Sequence, residues 1–493
     1  MFEAIELGQS MKKRDFKARE PELRSELMKL QLEMTDEKIS TLIIVGGVPG
    51  AGKGDVIDRL CKWLDSRGIQ THAFWDETDE DRERPREWRF WKRMPARGTI
   101  GIMFGGWYLE PMHQHTNGEI ETCDFDEFMT EARELERMLY NDGMLIIKLW
   151  YHLSEKGHRK RIKQRKQANP HIRHNDTGMD KEHYQAFVAT AERALRDTDT
   201  GECPWYIIES EDRWFRDMTT GTIIKNAMSA RLASHRVSDR RAIVHDPVVS
   251  CEDNPRTILD KIDLSASLSK DEYDEQLKYY QAKLLDLSWQ MYEARRSTVM
   301  VFEGADAAGK GGAIRRLTNA IDSLLYRVIS VAAPTDEELA HHYLWRFWRQ
   351  FPRAGYITIY DRSWYGRVLV ERVEGFAEQY EWMRAYSEIN NFEERMTDHG
   401  TVVMKFWLHI SQDTQLARFK EREVTPWKQH KITDEDWRNR DKWDDYKKAI
   451  NDMVIHTSTP EAPWTLVSSE NKLHARVEVI KTVCERLERA LSE

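Results

Sequence analysis

The sequence predicts an α/β protein: two tandem domains, each a parallel sheet with helices on both faces. Three observations predict it. The chain repeats itself at a fixed offset, each copy holds a glycine-rich loop between a short apolar strand and a helix, and strands alternate with helices.

The repeat is checked by subtraction. Lys310 follows Lys53 by 257 positions (310 − 53 = 257). The same step takes Leu7 to Leu264, Phe16 to Tyr273, Leu27 to Leu284 and Thr41 to Thr298. It lays Trp88-Arg89-Phe90-Trp91 on Trp345-Arg346-Phe347-Trp348, Trp107-Tyr108 on Trp364-Tyr365, and Lys148 on Lys405. The register holds from about residue 6 to about 155; later, Pro204-Trp205 matches Pro463-Trp464, two positions out of step. A period this long means duplicated domains, because stacked solenoid units repeat every ~20–50 residues. Domains are expected at 1–240 and 241–493, joined by a polar linker at about 236–262 that contains Pro247 and Pro255.

The 493 residues suit two globular domains. Apolar residues make up 40% and charged residues 32%, enough to fill cores and keep a polar surface. A net charge of −9 argues against a nucleic-acid coat, so a polyanion would need a local basic site. Five cysteines without metal or disulfide spacing fit a reducing cytoplasm. The first residues lack a signal pattern, and no apolar run approaches the roughly 18 residues that span a bilayer. Neither nucleic acid nor membrane is expected as a partner. Self-association into a homo-oligomer stays open.

The second half shows the plan of each copy. A charged amphipathic helix over 271–295 places Leu277, Tyr280, Leu284, Leu287 and Met291 at helical spacing. A short strand, Thr298–Phe302, leads into the glycine loop and a helix from about 310. Further strands are expected at 356–360, 401–408 and 464–467. Such alternation implies a parallel sheet covered on both faces, with ligands at the carboxyl ends of the strands.

Residues 304–312 read Gly-Ala-Asp-Ala-Ala-Gly-Lys-Gly-Gly. Backbone N–H groups in such a turn converge on phosphate oxygens, and the helix N-terminus adds partial positive charge. Gly304, Gly309, Gly311 and Gly312 permit close backbone approach, and Lys310 can reach a transferred phosphate. Gly311 stands where Ser or Thr usually holds Mg²⁺, so Asp306 and Asp361 become the candidate oxygen donors. Asp361-Arg362 ends a strand, where Arg362 could stabilise phosphoryl charge; helix capping is the other role open to Asp361. The first copy carries Pro49, Phe104 and Gly105 at the positions of Asp306, Asp361 and Arg362. It is expected to be catalytically silent, although Lys53 and the basic run His158–Lys166 could still retain an anionic chain.

The second half closely resembles the polyphosphate kinase 2 family, on GADAAGKGG at 304–312, WRFWRQFP at 345–352, DRSWYGRVLVERVEGF at 361–376 and KITDEDWRNRDKW at 431–443. The tandem layout is similar to the family's class II members, the polyphosphate:AMP phosphotransferases. The resemblance implies a thymidylate-kinase-like P-loop fold with a helical lid. It also implies Mg²⁺-dependent transfer of a phosphoryl group from inorganic polyphosphate to AMP, giving ADP. Residue by residue it assigns catalysis to Asp306, Lys310, Asp361, Arg362 and the lid's Arg440, with Asp306 and Asp361 as metal ligands. Lid Lys431 matches a substrate-binding position; Arg422 and Lys428 are nearby candidates, as are Arg418, Arg438 and Lys442. Arg346 could hold the nucleotide phosphate or form a structural ion pair. An ATP-dependent nucleotide kinase on the same fold and a non-enzymatic phosphate-binding protein are the alternatives.

Overall fold

A computed structural model describes residues 1–75, 77–168, 180–237, 257–426 and 434–492. The linker expected at 236–262 falls mostly outside the described residues; its ends are the last turn of helix Arg213–Val237 and a 3-10 turn at Ile258–Lys261.

Among the described residues ten strands form two sheets. In the first repeat they are β1 (Thr41–Gly47), β2 (Ile69–Ala73), β3 (Ile100–Phe104), β4 (Leu145–His152) and β5 (Trp205–Glu209). In the second they are β6 (Thr298–Gly304), β7 (Tyr326–Ser330), β8 (Ile357–Asp361), β9 (Val402–His409) and β10 (Trp464–Ser468). Strand orders are β2-β3-β1-β4-β5 and β10-β9-β6-β8-β7, the same topology twice. All pairings are parallel. The central strand β6 is buried from Thr298 to Glu303, as a strand covered on both faces must be.

The 257-residue offset governs register as well as sequence. Thr41 pairs with Ile100 and Leu145; Thr298 pairs with Ile357 and Val402. Helices Lys13–Asp36 and Lys270–Glu293 precede the two central strands. Ser269 and Glu272 form a capping box at the start of the second helix, satisfying backbone donors reciprocally. That helix stops at Glu293, two residues short of expectation, because Arg295 takes a left-handed φ of 54°; Lys38 does the same after the first helix. Leu284, Leu287 and Met291 from this helix pack with Met300, Phe302, Ile359, Met404, Phe406 and Val479 in the second core.

The two repeats share an equivalent buried ion network. Lys148 donates to Glu136 (2.8 Å) and the Thr198 carbonyl (2.6 Å); Lys405 donates to Glu393 (2.6 Å), Tyr365 Oη (3.0 Å) and the Thr457 carbonyl (2.5 Å). Tyr365 and Trp364 in turn donate to Glu393, so both charges are paired and hydrogen-bonded, as burial requires.

By compactness the chain forms two units: Met1–Thr78, Arg89–Arg241 and Thr335–Trp345, and Asp79–Trp88, Ala242–Pro334 and Arg346–Glu493. Two short stretches therefore depart from the expected cut near residue 240. Sequence similarity marks repeats, whereas compact units follow contacts in space. Glu83, for example, accepts from Arg353 Nε at 2.7 Å within the second unit. No helix among the described residues is long and apolar enough to cross a membrane. Cys61, Cys123, Cys203 and Cys484 are free thiols.

Candidate active site

The loop after β6 is shaped by its backbone. Gly304 has φ +156°, and a Cβ there would lie 2.5 Å from the Leu408 carbonyl oxygen, so no larger residue fits. Gly309 takes φ +106° as N-cap of the helix Lys310–Thr318. By contrast, a Cβ on Gly311 meets nothing within 4 Å, and one on Gly312 comes no nearer than 3.5 Å to Arg476. Packing demands glycine at Gly304 and the left-handed backbone favours it at Gly309, while the other two positions stay open toward the helix end.

The loop is held from behind by helix Gln412–Val424. Gln415 Nε2 donates to the Asp306 carbonyl (3.2 Å), and buried Arg418 Nη1 donates to the carbonyls of Ala307 (2.9 Å) and Ala308 (3.3 Å). Arg418 Nη2 also binds the carbonyls of Ser469 and Glu470 (2.6 and 3.0 Å). Arg418 thus fixes the loop, a role its charge alone did not reveal. Lys310 Nζ donates to the Gly304 carbonyl at 2.7 Å and so sits across the mouth of the turn.

Asp361 ends β8, opposite Phe302 of β6. Its neighbour Arg362 takes a left-handed φ of 65°, rare for a side chain of this size. That turn brings Arg362 Nη2 to 3.4 Å from Asp306 Oδ1. Asp306 Oδ2 accepts from Asn439 Nδ2 at 2.9 Å. Capping does not account for Asp361: the N-cap of the next turn, Trp364–Arg367, is Ser363, whose side chain accepts from Tyr365 N.

The remaining expected residues are placed as follows. Arg440, on helix Asp434–Asp441, donates to the Gln412 carbonyl (2.6 Å) and Gln415 Oε1 (3.2 Å), joining that helix to the one bracing the loop. Arg422 lies one turn beyond Arg418 on the bracing helix. Arg346 donates to the Ala332 carbonyl (3.1 Å). Arg438 and Lys442 both pair with Glu374 (3.1 and 3.2 Å). Lys428 and Lys431 lie outside the described residues. Asn439, Gln415, Glu303 and Ser363 escaped the sequence reading. The last two carry a signal that was available: both are glycine, Gly46 and Gly106, in the first copy.

Two carboxylates on a strand end and its neighbouring loop suit Mg²⁺. This hard cation keeps several waters and commonly takes only one or two protein carboxylates, with substrate phosphates completing its shell.

In the first repeat the frame persists and these polar groups do not. Phe104 stands opposite Val45 as Asp361 stands opposite Phe302. Lys53 Nζ donates to the carbonyls of Gly47 (2.7 Å) and Val48 (3.1 Å) and lies 5.5 Å above the Phe104 ring. Pro49 replaces the loop aspartate, and its carbonyl is bound by His158 (2.8 Å). Within the basic run, Arg161 binds the carbonyls of Ser210 and Glu211, and Arg159 pairs with Glu155.

Fold and site together define a phosphotransferase class: tandem α/β domains of P-loop kinase type, with Asp306, Lys310, Asp361 and Arg362 present in the second copy. A family model described as "Polyphosphate kinase 2 (PPK2)" matches the chain twice, at residues 10–236 and 267–493. A polyphosphate:AMP phosphotransferase of Pseudomonas aeruginosa is 45% identical, over 99% of each chain. One from Pseudomonas syringae pv. tomato is 43% identical, over 100% of this chain and 99% of its own. A solved structure titled as a polyphosphate kinase 2 from P. aeruginosa is 44% identical, with TM-score 0.88, covering 100% of this chain and 99% of its own. The chain belongs to the polyphosphate kinase 2 family.

Proposed function

We propose that this chain transfers the terminal phosphoryl group of inorganic polyphosphate to AMP, giving ADP. The reading is supported by the two full-length relatives that carry that name. The observation that carries it is the meeting of Asp306 and Arg362 on a lysine-bearing phosphate loop in the second repeat.

The reaction is an in-line displacement. An oxygen of the AMP phosphate forms a new P–O bond to the terminal phosphorus, the bond to the bridging oxygen breaks, and the polyphosphate leaves one unit shorter. Lys310 and the loop N–H groups hold the donor phosphates. Asp361 and Asp306 would hold Mg²⁺, which when bound neutralises phosphate charge. Arg362 and Arg440 stabilise charge spread over the transferring group. The helices around Arg440 act as a lid that excludes water and limits hydrolysis. Lys431, Lys428, Arg422 and Arg346 are the proposed further contacts to substrate phosphates. The first repeat lacks the carboxylates and does not turn over; whether it retains polyphosphate is tested by pull-down. A soluble cytoplasmic enzyme fits the reducing-compartment cysteines.

The deciding experiment supplies the purified chain and Mg²⁺ with AMP and either polyphosphate or ATP, and measures ADP. ADP from polyphosphate supports the proposal. ADP from ATP alone would make the chain an ATP-dependent nucleotide kinase, and none from either would favour a binding protein.

A further inference from the structure

The duplication supplies an internal control. Networks present in both copies belong to the fold; a buried polar network present only in the copy with the carboxylates is a candidate for what that copy alone does. Lys148–Glu136 and Lys405–Glu393 are of the first kind. Glu303 and Ser363 are of the second, because their counterparts are Gly46 and Gly106.

Glu303 lies on β6 immediately before Gly304 and is only 6% exposed; Ser363 is 4% exposed. Ser363 Oγ donates to Glu303 Oε1 at 2.8 Å. The same Oγ accepts from Tyr365 N at 3.3 Å, closing the turn after Arg362. Arg362 N donates to the Phe302 carbonyl at 3.1 Å, which ties this turn to β6 beside Glu303. Burial, with a smaller push from Asp361, raises the Glu303 carboxyl above its ordinary value, although Lys310, the Ser363 hydrogen bond and Arg362 oppose the shift. A buried carboxylate is unfavourable unless bonded, and the first sheet forms without one. The left-handed turn occurs in both copies, at Gly105 (φ +77°) and Arg362 (φ +65°), yet only the second holds a side chain there.

We infer that Glu303 is a positioning residue for phosphoryl transfer. Its carboxylate anchors Ser363, and through Ser363 it holds the strained Arg362 turn that aims Arg362 and Asp361 at the loop. This rests on the second repeat being the one that transfers.

The test uses the full chain with Mg²⁺, polyphosphate and AMP, each substrate varied in turn, and a thermal melt of every variant. Glu303→Ala and Ser363→Ala should each lower kcat by about tenfold or more while both KM values move less than about threefold. The double variant should be no slower than the slower single, since both remove one interaction. Glu303→Gln, which keeps an oxygen for the Ser363 hydroxyl, should retain roughly a third or more of kcat. A Glu303→Ala rate within about threefold of wild type, multiplying losses in the double variant, or a Gln variant as slow as Ala would each overturn the inference. If Glu303→Ala does not fold, Ser363→Ala and Glu303→Gln decide it by the same limits. An unaltered chain that makes no ADP removes the proposed function and this inference with it; an active chain indifferent to these substitutions removes the inference alone.

Discussion

Arg362 Nη2 lies 3.4 Å from Asp306 Oδ1, joining the end of β8 to the loop after β6. The arginine reaches that position from a left-handed backbone, φ 65°, where the first copy uses Gly105 at φ 77°. The second repeat thus keeps a strained residue at a place where glycine would relieve the strain, as sites that trade stability for chemistry do.

Arg362→Gly should therefore separate stability from activity. Steady-state ADP formation is expected to fall by about a hundredfold, the scale of one lost charge-stabilising donor. Unfolding free energy should stay within about 1 kcal/mol of the original or rise, because relief of strain offsets the added freedom of the unfolded chain. A variant that keeps full turnover would remove Arg362 from the mechanism.

Asn439 is the contact from the helix Asp434–Asp441 to the loop carboxylate, at 2.9 Å from Asp306 Oδ2. Tyr446 Oη donates to its Oδ1 at 3.2 Å, which orients the amide. Asn439→Ala is expected to lower kcat by roughly tenfold through loss of one aligned hydrogen bond to a charged group. An unchanged rate would show that this contact is dispensable.

Buried ion pairs give a prediction for each sheet. Lys405→Met strips Glu393 of its charge partner, and Lys148→Met does the same to Glu136. Each should cost about 3–5 kcal/mol in denaturant unfolding, because an uncompensated charge is left in the core. A loss below about 1 kcal/mol would mean that the carboxylate simply takes up a proton and that the pair contributes little.

Acid sensitivity follows from two matched histidines. His152 on β4 and His409 on β9 stand at equivalent positions, and burial lowers the pKa of both below the ordinary histidine value of 6.5. Opposing charges do not reverse this: Glu6, Glu211 and Glu209 face His152, and Glu470 and Asp260 act on His409, with Lys447 reinforcing the shift. With folded values depressed, the unfolded chain binds more protons as pH falls below 6.5, so stability is fullest above that pH and declines beneath it. Melting temperature should drop between pH 7.5 and 5.5, and the His152→Gln, His409→Gln double variant should flatten the slope. An unflattened slope would assign the acid sensitivity elsewhere.

Much of this was legible in the chain. The offset of 257 residues carried into the register of the first four strands of each sheet without change, because a gapless repeat preserves pairing partners; the last pair, Trp205 and Trp464, is two positions out of step. The glycine loop, Lys310, Asp361 and Arg362 all fell at strand ends, where a parallel sheet places ligands. The edge strands β2 and β7 were not read: Ile69–Ala73 and Tyr326–Ser330 are half exposed and lack an apolar run. Strand ends shifted by one or two residues, since pairing continues past the apolar stretch, as at Glu303 and Gly304. Arg418 was one nearby candidate cation among several, and its bracing of the loop was not legible, because charge in a sequence does not say which carbonyls lie within reach. Glu303 and Ser363 were visible only by asking which buried polar residues the other copy lacks.

The central claim is that the second repeat alone holds the carboxylates needed for transfer. Its most direct test is ADP formation from polyphosphate and AMP by the full chain carrying both Asp306→Asn and Asp361→Asn, beside a thermal melt. No ADP above the enzyme-free control at an unshifted melting temperature is the expected result. ADP at the original rate from that folded variant would contradict the account.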